Sequence, residues 1–332
     1  MRIMRNAYIK STGSYVPERV IPNSYFNELL GEDVDAWLVE NLTIRERRWC
    51  NENESTSTLC FEAANKILAN ANIKPEELDL IIIATDTPEY VSPSTSSVLQ
   101  HKLGALKAGT FDINSACAGF VTALDVASKY IRADERYNNV LVIGAYAMSK
   151  FLNMQDKKTV TLFADGTAGV LLSSTENSYR GFVASSLHTE GQYHDWMGIY
   201  AGGTKFPITQ QVLDQKDHLL KFVRKFPKEI NPVTWTKMIN ELSTRVNISP
   251  IQIQNYFFTQ LNINSIYETL DNLNVPRERA HTIMEYFGYT GSACIPMALD
   301  DANKKGKLKE GDLIMFMGSG GGLAFASAIF KW

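Results

Sequence analysis

Long apolar runs are missing from this chain. No stretch approaches the length of a transmembrane helix, and the opening MRIMRNAYIKSTGSYVP has basic residues but nothing that would serve as a signal-peptide core. A membrane is therefore not an expected partner, and the cytoplasm is the expected location. A surplus of one charge is missing too: 33 Lys and Arg stand against 36 Asp and Glu, a net charge of -3 with the signs mixed throughout. Such a surface has no basic field to draw in nucleic acid. Cysteine is scarce. Cys50, Cys60, Cys117 and Cys294 show no CxxC or Cys/His spacing, which argues against both a disulfide framework and a metal centre. What the chain has in quantity is core material, 45% hydrophobic residues over 332 positions, enough for one large domain or two of ordinary size.

Short apolar runs bounded by polar turns mark buried parallel-type strands at Leu78 to Ala84 and Val140 to Gly144. Helical patterns lie between them, at about 57 to 72, 93 to 103 and 118 to 132, with a further strand in TFDIN. This alternation predicts a layered α/β fold. The second half repeats the order: a helix over Pro232 to Val246, an apolar run at Tyr256 to Phe258, a strand-turn-helix unit in TIMEYFGYTGSACIPMAL that parallels TFDINSACAGFVTAL, and EGDLIMFMGSGGG paralleling NNVLVIGAY. A twofold internal duplication follows, with halves at 1–177 and 178–332. Between them, about 186 to 226, YHDWMGIYAGGTKFP and its surroundings are rich in Gly and aromatics and read as an insertion covering a site.

Cys60 lies on the apolar stripe of a helix and reads as core, and Cys50, after a charged Arg run, carries no signal. Cys117 differs. It follows a strand that ends at Asn114, Ser115 offers a cap, and Phe120, Val121, Leu124 and Ala127 mark the buried face of the helix that begins there. Free N–H groups and the positive end of a helix dipole favour thiolate over thiol, and Ala116, Ala118 and Gly119 leave room for a thioester. A small cysteine that merely packs well would look the same locally.

SACAGF, LFADGTAGVLL, the terminal GSGGGLAFASAIFKW and IRERRW together resemble the β-ketoacyl-acyl-carrier-protein synthase III branch of the thiolase superfamily, in matching order over nearly the whole chain. The resemblance implies a duplicated thiolase-like fold, layered αβαβα with two mixed sheets. It also implies an acyltransferase in fatty acid or polyketide-type biosynthesis. In that family the cysteine takes an acyl group from a thioester and condenses it with malonyl-carrier protein, whose decarboxylation is assisted by a His and an Asn. The Gly-rich strand and the cysteine's own N–H form the oxyanion hole, which makes Gly321 the expected second donor here. The implied partners are an acyl-carrier protein and a second copy of the chain or a related synthase. No permanently bound cofactor is implied; acyl-CoA or the phosphopantetheine of a carrier protein is the substrate.

The chain departs from the family pattern at both helpers. The segment matching HQAN reads Thr259, Gln260, Leu261, Asn262, and that matching HGNTS reads Phe287, Gly288, Tyr289, Thr290, Gly291. Thr259 and Tyr289 either offer their hydroxyls to a substrate oxygen or fill the space of the lost pair. Of the five histidines, only His194 lies in a segment with a route to the site. Acylation of Cys117 is expected to survive these changes better than decarboxylation. At the donor edge Trp37 matches a family tryptophan, Asn41 and Leu42 replace an Arg and a Thr, and Lys157 replaces another Arg. The loss of planar cations points to a carrier protein or a weakly held acyl-CoA as donor. Two other readings stay open: a decarboxylating enzyme that uses Thr259 and Tyr289, and a non-catalytic subunit of a heterodimeric synthase.

Overall fold

The computed structural model describes residues 5–177 and 179–332. The first sheet is built from Asn6–Tyr15 (β1), Leu80–Ala84 (β2), Gly109–Ile113 (β3), Asn139–Ala147 (β4) and Asp165–Thr175 (β5), in the order β1-β5-β4-β2-β3. β2 is parallel to both neighbours, Ile82 facing Phe111 and Val142, whereas β5 and β1 run antiparallel. Every residue of β2 is buried, as a central strand covered on both faces requires, and this is why LIIIA is apolar without alternation.

The second sheet comprises Gly181–Thr189 (β6), Asn255–Phe258 (β7), Leu313–Gly320 (β8) and Ala324–Lys331 (β9), in the order β7-β8-β9-β6. β7 and β8 are parallel and the remaining pairs antiparallel. Two helices, Thr56–Ala71 (α1) and Thr95–Leu103 (α2), cover the outer face of the first sheet. Gly119–Ala133 (α3) touches strands of both sheets, and Cys294–Lys304 (α6) packs between them; Ile230–Arg245 (α4) covers the far side of the second sheet with Ile263–Asn272 (α5) beside it. The result is the expected αβαβα layering with two mixed sheets.

Three local expectations need correction. TIMEYF is not a strand: only Ala280 bridges to Tyr256 of β7, and Met284–Phe287 forms a short helix. The buried Gln260 explains this, because its amide donates to the His281 carbonyl (3.1 Å) and accepts the Ile283 N–H (2.8 Å), filling bonds that a sheet neighbour would make. The covering insertion begins later than 186, since β6 runs to Thr189 and pairs with Ala324. As an edge strand β6 carries the exposed Leu187 and His188, so it lacks the apolar run that marks a strand in sequence. The segment that follows is not wholly irregular: Met197–Gly198 pairs with Lys221–Phe222, and Gln210–Asp214 is helical. Third, Ser115 does not cap α3, whose cap position is Ala118 with no side-chain bond.

Candidate active site

Parallel strands deliver their side chains at their carboxyl ends, where α/β sheets open into crevices. Asp86 lies just past β2, Cys117 just past β3, and Tyr146 at the end of β4; in the second sheet Thr259 follows β7 and Gly321 follows β8. The end of sheet pairing after Ala280 lets Tyr289 reach the same place, held by the bonds Tyr289 N–H to Leu162 O and Ala164 N–H to Tyr289 O, each 2.9 Å.

Cys117 sits in a tight turn rather than on the helix itself. Ala116 adopts φ 44°, its N–H bonds the Asn114 side chain (3.1 Å), and the Ala118 N–H bonds Ser115 O (3.1 Å). A Cβ on Gly320 would overlap the Cys117 backbone nitrogen, and one on Gly318 would stand 3.0 Å from Ala118 Cα. Those glycines exist because β8 crosses the nucleophile turn at backbone contact. The same closeness sets Gly321 beside Ala116.

Cys117 is 2% exposed, and the Tyr289 hydroxyl is among the groups that act on its thiol. Burial pushes it well above the ordinary thiol range, the nearby Asp86 charge adds to this, and the Tyr289 bond opposes both. α3 begins at Gly119, two residues past the thiol, and burial favours the neutral thiol over the expected thiolate. Cys117 needs a base.

Its neighbours divide into occupied and free groups. Thr259 is occupied: its hydroxyl accepts the Ser319 N–H (2.9 Å) and lies 3.3 Å from Ser319 O, so it ties β7 to β8 rather than facing a substrate. Tyr289 and Tyr146 are buried, with ring centroids 6.5 Å apart, and both phenols are raised by burial. Cys294, at the first turn of α6, is pushed up to about 12 by burial. His101, His188 and His194 are exposed, His281 bonds Asp301 (2.6 Å), and His218, in the insertion, is half-buried with its Nδ1 unpartnered; none of the five acts on Cys117.

A cavity of about 690 Å³ leads inward from the surface, walled by Val34, Leu38, Leu42, Leu162 and Phe222. Its inner end abuts the site: Phe163 packs 5.4 Å from the Tyr289 ring, and the Met197 carbonyl lies 3.4 Å from the Cβ position of Gly321. Trp37 lines the outer part, 54% exposed, and Lys157, Lys158 and Lys225 surround it. Lys157 is paired with Glu32 at 2.8 Å. Asn262 lines the wall while its side chain caps α5, accepting the Asn264 N–H (2.9 Å). Asn41 is turned away, its amide donating to Trp37 O at 3.0 Å.

Two family profiles match the chain: 3-Oxoacyl-[acyl-carrier-protein (ACP)] synthase III over residues 111–191, and its C-terminal part over 244–332. The beta-ketoacyl-[acyl-carrier-protein] synthase III of Rhodopirellula baltica is 36% identical, with 99% of each chain covered. The chain belongs to the β-ketoacyl-acyl-carrier-protein synthase III family. The same-named protein of Caldanaerobacter subterraneus is 33% identical over 98% of each chain. Among solved structures, the 3-oxoacyl-[acyl-carrier-protein] synthase III of Aquifex aeolicus superposes with a TM-score of 0.88 at 30% identity, covering 98% of this chain and 100% of that one. A synthase III of this family is an acyl-transferring condensing enzyme working on thioesters, and the fold is the thiolase fold. Among the described residues, no helix is long and apolar enough to cross a membrane.

The sequence reading of this synthase III-like site did not single out Asp86, Tyr146, Cys294, Lys158 or Lys225. For Asp86 a signal existed, since a carboxylate directly after a buried parallel strand stands where such sheets bind ligands. For Cys294 the signal was the parallel between its SAC and that of Cys117. Nothing in the sequence marks the two lysines.

Proposed function

We propose that Cys117 accepts an acyl group from a thioester that enters through the Trp37-lined cavity and then passes it to an acceptor in fatty acid or polyketide-type biosynthesis. What supports this reading is the backbone contact between the Cys117 turn and the Gly320–Gly321 end of β8, next to a cavity whose lining residue Met197 adjoins Gly321. The N–H groups of Cys117 and Gly321 would receive the tetrahedral oxyanion, where each donor is worth about 3 kcal/mol. The apolar wall suits a pantetheine arm, and Lys158 and Lys225 at its rim suit the phosphate at the arm's far end. That phosphate is common to coenzyme A and carrier proteins. A second copy of the chain, or a related synthase, is the proposed partner at the free edge of β3, near which Val91 and Leu106 are exposed.

The engagement of Thr259 with Ser319 argues against its use in decarboxylation. We therefore expect transfer from Cys117 to run faster to an acceptor that is already activated than to malonyl-carrier protein. Incubation with butyryl-carrier protein, followed by either acceptor class and quantification of product, tests this; equal or faster turnover with malonyl-carrier protein, with release of carbon dioxide, would overturn it.

A further inference from the structure

Among the described residues the three buried aspartates, Asp125, Asp165 and Asp300, are satisfied, whereas the partly buried Asp86 is not fully so. Asp165 accepts from the Ser149 N–H (2.8 Å), the Ser149 hydroxyl and the Cys50 N–H (2.6 Å). Asp125 meets Ser185 and Lys129, and Asp300 meets Thr12 (2.7 Å), Ser14 and Lys304. Each of these holds strands or helices together. Asp86 ties no strand or helix to another: its Oδ1 is sealed from solvent without a hydrogen-bond partner. A buried polar atom in that condition costs stability unless it serves some purpose.

Its position is not accidental slack. The flanking residues are pinned to three elements, with the Thr85 N–H on Ile113 O (3.1 Å) at the end of β3, the Ala147 N–H on the Thr87 hydroxyl (2.9 Å) at the end of β4, and the Thr56 hydroxyl on Thr87 O (2.5 Å) at the start of α1. These bonds set Asp86 between the end of β3, which leads to Cys117, and the end of β4, which carries Tyr146, and its charge helps to raise both groups. Cys117 is a buried thiol whose acylation requires removal of a proton, and among the described residues no imidazole acts on it.

We propose that Asp86 is the proton acceptor for acylation of Cys117. This rests on the acyl-acceptor reading of Cys117 given above. As the sulfur attacks the thioester carbonyl, the thiol proton moves to the Asp86 carboxylate and a carbon–sulfur bond forms. Collapse of the tetrahedral intermediate breaks the donor's carbon–sulfur bond, and the expelled thiolate takes the proton from Asp86. The step is neutral in atoms, charge and electrons and needs no further reactant. Burial pushes the Asp86 carboxyl up to about 6, a value suited to a base acting near neutrality. Cys117, Tyr146, Tyr289 and Cys294 are all raised by burial, and so is the carboxyl of Asp165, which acts on Tyr146; loss of the inflection in Asp86→Asn is what assigns a change of rate between pH 5 and 7 to Asp86.

Single-turnover acylation by butyryl-N-acetylcysteamine, followed as the mass of the Cys117 peptide from pH 4.5 to 8.5, tests this. The wild-type rate should rise through one ionisation near 6. Asp86→Asn should be slower by roughly 100-fold and lose that inflection. Asp86→Glu should restore the inflection with part of the rate. An Asp86→Asn protein that acylates at the wild-type rate with the wild-type profile would overturn the role of Asp86 while leaving Cys117 as acyl acceptor. Should the Asn variant not fold, a wild-type profile flat between pH 5 and 7 overturns the proposal by itself. Absence of any adduct in the wild type would remove the acylation reading on which it rests.

Discussion

At the scale of single residues, Asp86 carries a consequence for stability that is independent of catalysis. Its carboxyl titrates near 6 in the folded chain against 3.8 for an ordinary aspartate. Between those values the folded state binds more protons than the unfolded state, so stability falls as pH rises through the window and the loss is complete above it. A shift of that size corresponds to about 3 kcal/mol. Asp86→Asn is therefore expected to be more stable than wild type at pH 8, by roughly 1–3 kcal/mol, with the difference shrinking toward pH 4. Urea denaturation at the two pH values measures this. An Asn variant less stable than wild type at pH 8 would show that the ionised carboxylate has a partner. Residues of this kind are poorly legible in sequence. Whether an aspartate is paired depends on what surrounds it, and here β3, β4 and α1, far apart in the chain, decide that it is not. The same holds for Thr259, whose hydroxyl is occupied by Ser319 sixty positions away. The turn that holds Cys117 is more local, its bonds running among Asn114, Ser115, Ala116 and Ala118.

At the scale of elements, the glycines of β8 fix the nucleophile turn. Gly320→Ala would place a methyl group against the Cys117 backbone nitrogen, which can yield only by displacing the turn. A loss of about 1–3 kcal/mol is expected from such overpacking, and acylation of Cys117 should slow by roughly 100-fold through misplacement of the sulfur. A urea midpoint and single-turnover rate unchanged by the substitution would contradict the packing account. Strands of the sheet centres were readable as apolar runs, β2 and β4 above all. The edge strand β6 was not, because an edge strand has one exposed flank and no run to show. The break at TIMEYF was hidden for a different reason: the segment has strand composition, and the side chain that keeps it out of the sheet belongs to Gln260, on another segment.

For the whole molecule, the layered fold gathers the carboxyl ends of the parallel strands of both sheets, and beside them lies a cavity whose exposed lining includes Lys158 and Lys225. Replacing both lysines with glutamate should raise KM for butyryl-coenzyme A or butyryl-carrier protein by roughly tenfold, equivalent to about 1.4 kcal/mol. The rate with butyryl-N-acetylcysteamine, which lacks the phosphate, should stay unchanged. A parallel loss with both donors would mean that the lysines support the fold rather than the phosphate. The duplicated order of strands and helices was visible in sequence as repeated pattern. The cavity was not, since its walls come from both halves of the chain. The central claim is that Cys117 carries the acyl group, and the most direct measurement is the stoichiometry of acyl thioester on the protein after exposure to butyryl-N-acetylcysteamine. One butyryl group per chain, on the Cys117 peptide and absent from Cys117→Ala, is the expected result; label on another residue, or none with the thiol intact, would contradict it.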